Sequence, residues 1–193
     1  MKTSGGAVIL TAHMGSYDLG AHVFSETSGR KIVMVRAPEV DPQTREFEAH
    51  MHDKSRSDSL RIDFSTRASE LALDLLHALQ DGELVAIQGD RVTPGIAAIT
   101  VTMFGRRAQI PAGPFALAMA ARVPVYPLFI MRIGRRRYRL LTCEPIVVER
   151  RSRARDEDLR RAADEWSRRL EDVLRGGWYQ WFGFEQLMED PAA

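Results

Sequence analysis

The stretch Ala7-Val8-Ile9-Leu10-Thr11-Ala12-His13-Met14-Gly15-Ser16-Tyr17-Asp18-Leu19-Gly20 decides how this chain is read. Ala7 to Leu10 is short, continuous and rich in branched residues, which predicts an interior strand of a parallel sheet buried on both faces. Gly15 and Ser16 then offer a turn and a helix N-cap. His13 is therefore expected at the carboxyl end of a strand and Asp18 in the first turn of the following helix. Open α/β sheets bind their ligands at such strand ends. A neutral imidazole held in one tautomer by a carboxylate is the usual construction of a general base. Most histidine and aspartate residues five apart are unrelated, so the rest of the chain has to decide.

Working outward, the helix from Ser16 is expected to run to about Glu26 and close at Ser28-Gly29. Lys31 to Arg36 reads as a second strand, Ile32-Val33-Met34-Val35 with Arg36 at its end, stopped by Pro38 and placing Arg36 on the same sheet edge as His13. A strand-end arginine is usually a surface charge; the sharper reading gives Arg36 a role towards substrate or an oxyanion. His50 and His52 are two apart in a polar segment, cannot share a helix face, and read as solvated surface. Ala68, Leu71, Ala72, Leu75, Leu76 and Leu79 follow helical spacing and predict an amphipathic helix over Arg67–Gln80, its leucines being core with no site role. Leu84 to Ile87 is the next buried strand and ends at Gln88-Gly89-Asp90-Arg91. Gly89 permits close backbone approach, and Asp90 and Arg91 are expected at the carboxyl edge near His13. They form either an ordinary ion pair or part of an acceptor pocket.

Ile99 to Phe104 alternates and turns at Gly105. Arg106-Arg107 and Pro111-Ala112-Gly113-Pro114 then precede a small-residue helix, Phe115 to Ala121. Val123 to Met131 reads as a strand in which Pro127 predicts an edge or a bulge. Arg132, Arg135, Arg136, Arg137 and Arg139 cluster around a Gly134 turn before a returning strand, Tyr138 to Cys143. Such a cluster is either a solvated turn or a contact for anionic headgroups or an acidic carrier protein. Arg155 to Leu174 is the last helix, with Leu159, Ala162, Ala163, Trp166, Leu170, Val173 and Leu174 as its buried stripe. The aromatic tail Trp178-Tyr179-Gln180-Trp181-Phe182-Gly183-Phe184 is expected to pack on the fold in preference to anchoring in a membrane interface. The fold class predicted is α/β, a mixed, mostly parallel sheet flanked by helices. A single domain over residues 1–193 is expected, with an aromatic C-terminal tail from about residue 176.

Composition is that of a folded chain, 45% hydrophobic and 27% charged. A net charge of +1 argues against wholesale nucleic-acid binding. The single cysteine, Cys143, excludes an internal disulfide and a cysteine metal cluster, and reads as an inert buried thiol in a strand. No apolar run approaches the ~20 residues that cross a bilayer, and no signal peptide is expected.

His13-x-x-x-x-Asp18, Val35-Arg36, Gly89-Asp90-Arg91 and Phe104-Gly105-Arg106-Arg107-Ala108 with Pro111-Ala112-Gly113-Pro114 occur in an order that resembles the lysophospholipid acyltransferase superfamily, in its lipid A late acyltransferase branch. The resemblance spans roughly residues 7 to 184. It implies transfer of a fatty acyl group from an acyl-carrier-protein or coenzyme A thioester to a lipid or glycolipid hydroxyl. His13 would be the general base and Asp18 the carboxylate that orients it. Arg36, Gly89, Asp90, Arg91, Arg106 and Arg107 would serve substrate binding. No metal, cofactor or acyl-enzyme is implied, and the expected location is cytoplasmic, peripheral on the inner face of the membrane. Relatives of this kind carry a longer N-terminal region with a membrane anchor, so the chain reads as a reduced homologue or a fragment. Two departures matter. The branch commonly has glutamate where this chain has Asp18, and the Phe-Pro-Glu-Gly-Thr block of glycerolipid acyltransferases is absent, with Ile110-Pro111-Ala112-Gly113-Pro114 near its place. A non-catalytic lipid- or carrier-binding homologue and a thioesterase-like hydrolase are the alternatives.

Overall fold

The computed structural model describes residues 5–17, 24–26, 28–36, 60–64, 68–93, 95–151 and 153–183. In chain order the elements are β1 (Ala7–Thr11), β2 (Ile32–Arg36), β3 (Leu60–Phe64), α1 (Ala68–Gln80), β4 (Leu84–Gln88), β5 (Ala98–Met103), β6 (Arg106–Pro111), α2 (Gly113–Ala121), β7 (Val125–Gly134), β8 (Arg137–Thr142) and α3 (Arg155–Gly177). A short 3-10 turn, Trp178–Gln180, follows. Residues 24–26 and 28 are helical, and Gly29 closes that helix with a left-handed φ of 64°. His50, His52 and Asp18 lie outside the described residues.

Six strands form one sheet in the order β3-β2-β4-β1-β7-β8. The first five run parallel, and β8 returns antiparallel along β7. The mixed, mostly parallel α/β sheet expected from the sequence is therefore present. Every residue of β1 is buried, which is why its sequence does not alternate: it is covered on both faces. Successive side chains serve two separate cores. Val8, Leu10, Val33, Val85 and Phe129 meet α1, α2 and α3 on one face. Ile9, Ile32, Leu84, Ala86 and Ile130 form the other face, packed by Phe24, Leu60 and Tyr126.

The helix α3 locks the first core. Leu159, Ala162, Ala163, Trp166, Leu170 and Leu174 are buried at the predicted spacing. Trp166 is fully buried, lies 6.4 Å from the Phe129 ring, and reaches the Leu10 carbonyl with its indole N–H at 3.4 Å. Gly89 sits under this contact. A Cβ there would stand 2.8 Å from Leu10 Cδ1 and 3.2 Å from Trp166, so a side chain at this position would have to push both aside.

Pro127 lies in β7, an interior strand between β1 and β8, and marks a bulge, as its sequence predicts, and not an edge. On the β8 side Val125 bridges Ile146 whereas Leu128 pairs with Thr142, so three steps along β7 face four along the returning chain, and the missing N–H falls at this irregularity. A further register shift of β7 falls between Arg132 and Gly134. The Pro127 carbonyl still accepts from Cys143 N–H at 3.1 Å. Cys143 itself lies just past β8 and is only partly buried. Desolvation by that burial pushes its thiol pKa up, with Arg169 opposing and Asp172 adding to the shift.

Candidate active site

The site follows from strand register. Thr11 of β1 lies opposite Gln88 of β4. Two residues further, His13 and Asp90 leave the sheet side by side. His13 Nδ1 is 2.7 Å from Asp90 Oδ1. The His13 backbone N–H also donates to the same carboxylate, at 3.1 Å to Oδ1 and 3.0 Å to Oδ2. Asp90 is an acceptor-only group when ionised, so the proton between them belongs to Nδ1, and Nε2 is left as the basic nitrogen. The Asp90 side chain is 2% exposed and that of His13 21%. A buried carboxylate thus backs an imidazole that substrate can reach. Tyr17 stands edge-on to the His13 ring at 5.6 Å.

The third donor to this carboxylate comes from the C-terminal tail. Trp181 Nε1–H donates to Asp90 Oδ2 at 2.8 Å. The tail is stitched to the histidine loop: Phe182 N–H donates to the His13 carbonyl at 2.7 Å and Gly15 N–H to the Gln180 carbonyl at 2.9 Å. Met14 and Trp181 form an antiparallel bridge. The Gln180 side chain clasps Arg132, accepting from its N–H at 2.8 Å and donating to its carbonyl at 3.0 Å. Gly15, at φ 58°, allows the loop to turn against β7.

A cavity of about 370 Å³ opens beside His13 at the carboxyl ends of β2 and β4. Its walls are apolar, with Leu71 and Leu75 of α1, Ile96, and Pro114 and Leu117 of α2. Arg36, Gln88 and Arg91 join His13 as its polar groups. An apolar slot with a few convergent polar groups is the usual form of a small-molecule site. It can take a chain of methylenes, while two guanidinium groups attract an anion. β2 pairs with β4 as far as Met34↔Ala86, two residues before Arg36, and β4 separates β2 from β1, so Arg36 meets the cavity from across the sheet edge.

The residues expected at the site thus fall in different places. His13, Arg36 and Arg91 line the cavity, and Asp90 backs His13. Gly89 serves packing under Leu10 and Trp166. Arg106 and Arg107 stand at the tip of the β5–β6 hairpin, paired with Met103 and Thr102, while the other end of that hairpin supplies Pro111 to the cavity. Sequence reasoning did not find the bond from Asp90 to His13, the Trp181 donor, or the cavity role of Leu71 and Leu75. The first was half visible: both apolar runs, β1 and β4, end two residues before their polar group. Strand order, which the sequence does not carry, makes them neighbours.

The aromatic tail divides. Trp181 packs against the core, whereas Trp178 and Tyr179 are 69% and 66% exposed. The expectation that the block as a whole packs on the fold holds for Trp181 and fails for these two and for Phe182, which is also exposed, while Phe184 lies outside the described residues. A second groove, lined by Ser16, Arg132, Arg135, Tyr179 and Phe182, joins this aromatic edge to the arginine turn of β7–β8. Among the described residues no helix is long and apolar enough to cross a membrane, and no cluster of metal-ligating side chains occurs.

In comparison with known families, the model of the bacterial lipid A biosynthesis acyltransferases matches residues 1–189. A search of curated proteins returns no significant match.

Proposed function

Because the chain belongs to the bacterial lipid A biosynthesis acyltransferase family, we propose that it transfers a fatty acyl group from a thioester, on acyl carrier protein or coenzyme A, to a hydroxyl of a lipid or glycolipid. Membership supports acyl transfer in general; the donor, the acceptor and the residue roles are our reading. The observation that carries them is His13 Nδ1 held at 2.7 Å by buried Asp90 at the mouth of an apolar cavity.

In this reading the acceptor hydroxyl gives its proton to His13 Nε2 as its oxygen attacks the thioester carbonyl carbon. Asp90 keeps the imidazole in the Nδ1–H tautomer and stabilises the imidazolium that forms. The tetrahedral oxyanion is stabilised by the positive charge of Arg36 or Arg91. The C–S bond then breaks, and the departing thiolate takes the proton from His13. Ester and thiol are the products, and the step balances without metal, redox cofactor or acyl-enzyme. The apolar wall of Leu71, Leu75 and Leu117 suits the acyl chain.

Asp18 keeps the supporting role that the family resemblance gives it, as a carboxylate additional to Asp90. Arg106 and Arg107, at the far end of their hairpin, are assigned to an acidic carrier protein and not to the reacting centre. Peripheral contact with the inner face of the cytoplasmic membrane is assigned to the edge that carries Trp178, Tyr179 and the arginine turn.

The decisive experiment incubates the purified protein with acyl-carrier-protein or coenzyme A thioesters and a membrane lipid extract. Acylated lipid detected by mass spectrometry, and absent with His13→Ala, is the expected result. Free fatty acid without acylated lipid indicates a hydrolase. Thioester left intact in the presence of measurable lipid binding indicates a binding module.

A further inference from the structure

We propose that Trp181 is a positioning residue for the general base, acting through Asp90. The inference rests on reading His13 as that base, but its test does not depend on turnover. Asp90 has two oxygens and three donors around them. Oδ1 takes His13 Nδ1–H at 2.7 Å, the His13 backbone N–H lies at 3.1 and 3.0 Å from the two oxygens, and Trp181 Nε1–H takes Oδ2 at 2.8 Å. Two of these donors belong to His13. Trp181 is the donor from a different part of the chain, and among these three it alone fixes the rotation of the carboxylate about its Cβ–Cγ bond independently of His13.

The indole is itself fixed. Its backbone bridges Met14, and the neighbouring Phe182 N–H holds the His13 carbonyl at 2.7 Å. Trp181 therefore grips the pair twice, by main chain at the histidine loop and by side chain at the aspartate. An indole N–H donates and never accepts, so it pairs with a carboxylate oxygen and holds that oxygen in place. Removing the N–H leaves Oδ2, among the described residues, with only the backbone N–H of His13, and hydrogen bonds to charged groups are the strong ones. The carboxylate then rotates more freely, and the imidazole loses its set orientation.

Trp181→Phe removes the N–H and part of the ring. Incorporation of 3-benzothienylalanine at position 181 removes the N–H alone, keeping the bicycle, and serves if the phenylalanine variant folds poorly by circular dichroism. Turnover at saturation should fall about 10- to 100-fold with the Michaelis constant little changed, the size of effect seen for outer partners that orient a metal-bound histidine. In an Asp90→Asn background the same replacement should cost nothing further, because the residue acts through the carboxylate. Independently of activity, the low-field proton resonance of His13 Nδ1–H should be sharp in the wild type and broadened or lost in the benzothienylalanine variant. Loss of that signal in a protein that transfers no acyl group from any thioester would sustain the role of Trp181 and end the acyltransferase reading. An unchanged low-field signal, or an equal fall in turnover in the wild-type and Asp90→Asn backgrounds, would overturn the proposal.

Discussion

Thr11 and Gln88 face each other across the parallel pair β1–β4, and this single register places the candidate base against its carboxylate. Two residues beyond them, His13 and Asp90 emerge at the same height, and the chain directions of a parallel pair send both toward the carboxyl edge. A shift of one residue in either strand would turn the buried faces of the strand over as well as separate the pair. The cores on both sides of the sheet therefore hold the site geometry.

Replacing His13 by alanine is expected to abolish acyl transfer while leaving the fold intact. The side chain is partly exposed at a strand end, so its loss opens no core cavity. General-base removal costs ~10²–10⁴ in rate. Turnover close to wild type in a purified His13→Ala protein would remove the central claim.

The two aspartates are separated by their amides. Asp90→Asn keeps the shape but cannot support an imidazolium, and it presents an N–H where His13 needs an acceptor. Its turnover should fall nearly as far as that of His13→Ala. Asp18→Asn should also be damaging, and Asp18→Glu should retain partial activity, since the branch commonly carries glutamate there. Full activity in Asp18→Asn with none in Asp90→Asn would assign the orienting role to Asp90 alone.

Most of the sheet was legible in the sequence because each parallel strand is a short branched run, and the leucine spacing of α1 and the stripe of α3 follow the helical period. What was not legible depends on long-range order. Asp90 is 77 residues from His13 and Trp181 is 91 from Asp90, and no local pattern links them. Pro127 signalled a bulge, but only the pairing shows that the extra residue lies in the chain opposite it, between Thr142 and Ile146. Leu71 and Leu75 read as core because helical periodicity cannot distinguish a face packed on a sheet from one that also walls a cavity.

Gly89→Ala should destabilise the fold without entering the site directly. The new Cβ would press on Leu10 and Trp166, which are themselves fully buried. Overpacking of this kind costs about 1–3 kcal/mol. A urea titration should show a lower midpoint with an unchanged slope. Wild-type stability would mean that the strand exit shifts freely.

Cys143 should be slow to alkylate. Burial raises its thiol pKa, so at neutral pH less of it is thiolate than of a free cysteine, and thiolate is the reactive form. Labelling by iodoacetamide should accelerate as pH rises, with a midpoint above that of a model thiol. A midpoint at or below the model thiol would show that the opposing charge of Arg169 outweighs desolvation.

The last prediction concerns the edge beside the site. Arg135, Arg136 and Arg137 are exposed at the β7–β8 turn, and Trp178 and Tyr179 project from the tail that braces His13. Arginines attract anionic headgroups over a Debye length of ~8 Å at physiological salt, whereas indole and phenol rings favour the interface itself. The two contributions should therefore separate by salt. Arg135/Arg136/Arg137→Gln should weaken binding to anionic vesicles about 10- to 100-fold at low salt, and the difference should shrink as salt is raised. Trp178→Ala with Tyr179→Ala should weaken binding by a factor that salt leaves nearly unchanged. Turnover at saturating substrate should stay near wild type in both, since neither set touches the His13–Asp90 pair. If the arginine variant instead raises the Michaelis constant for acyl carrier protein and leaves vesicle binding alone, the turn faces the carrier. Wild-type behaviour in both assays at low salt would make it an ordinary solvated turn.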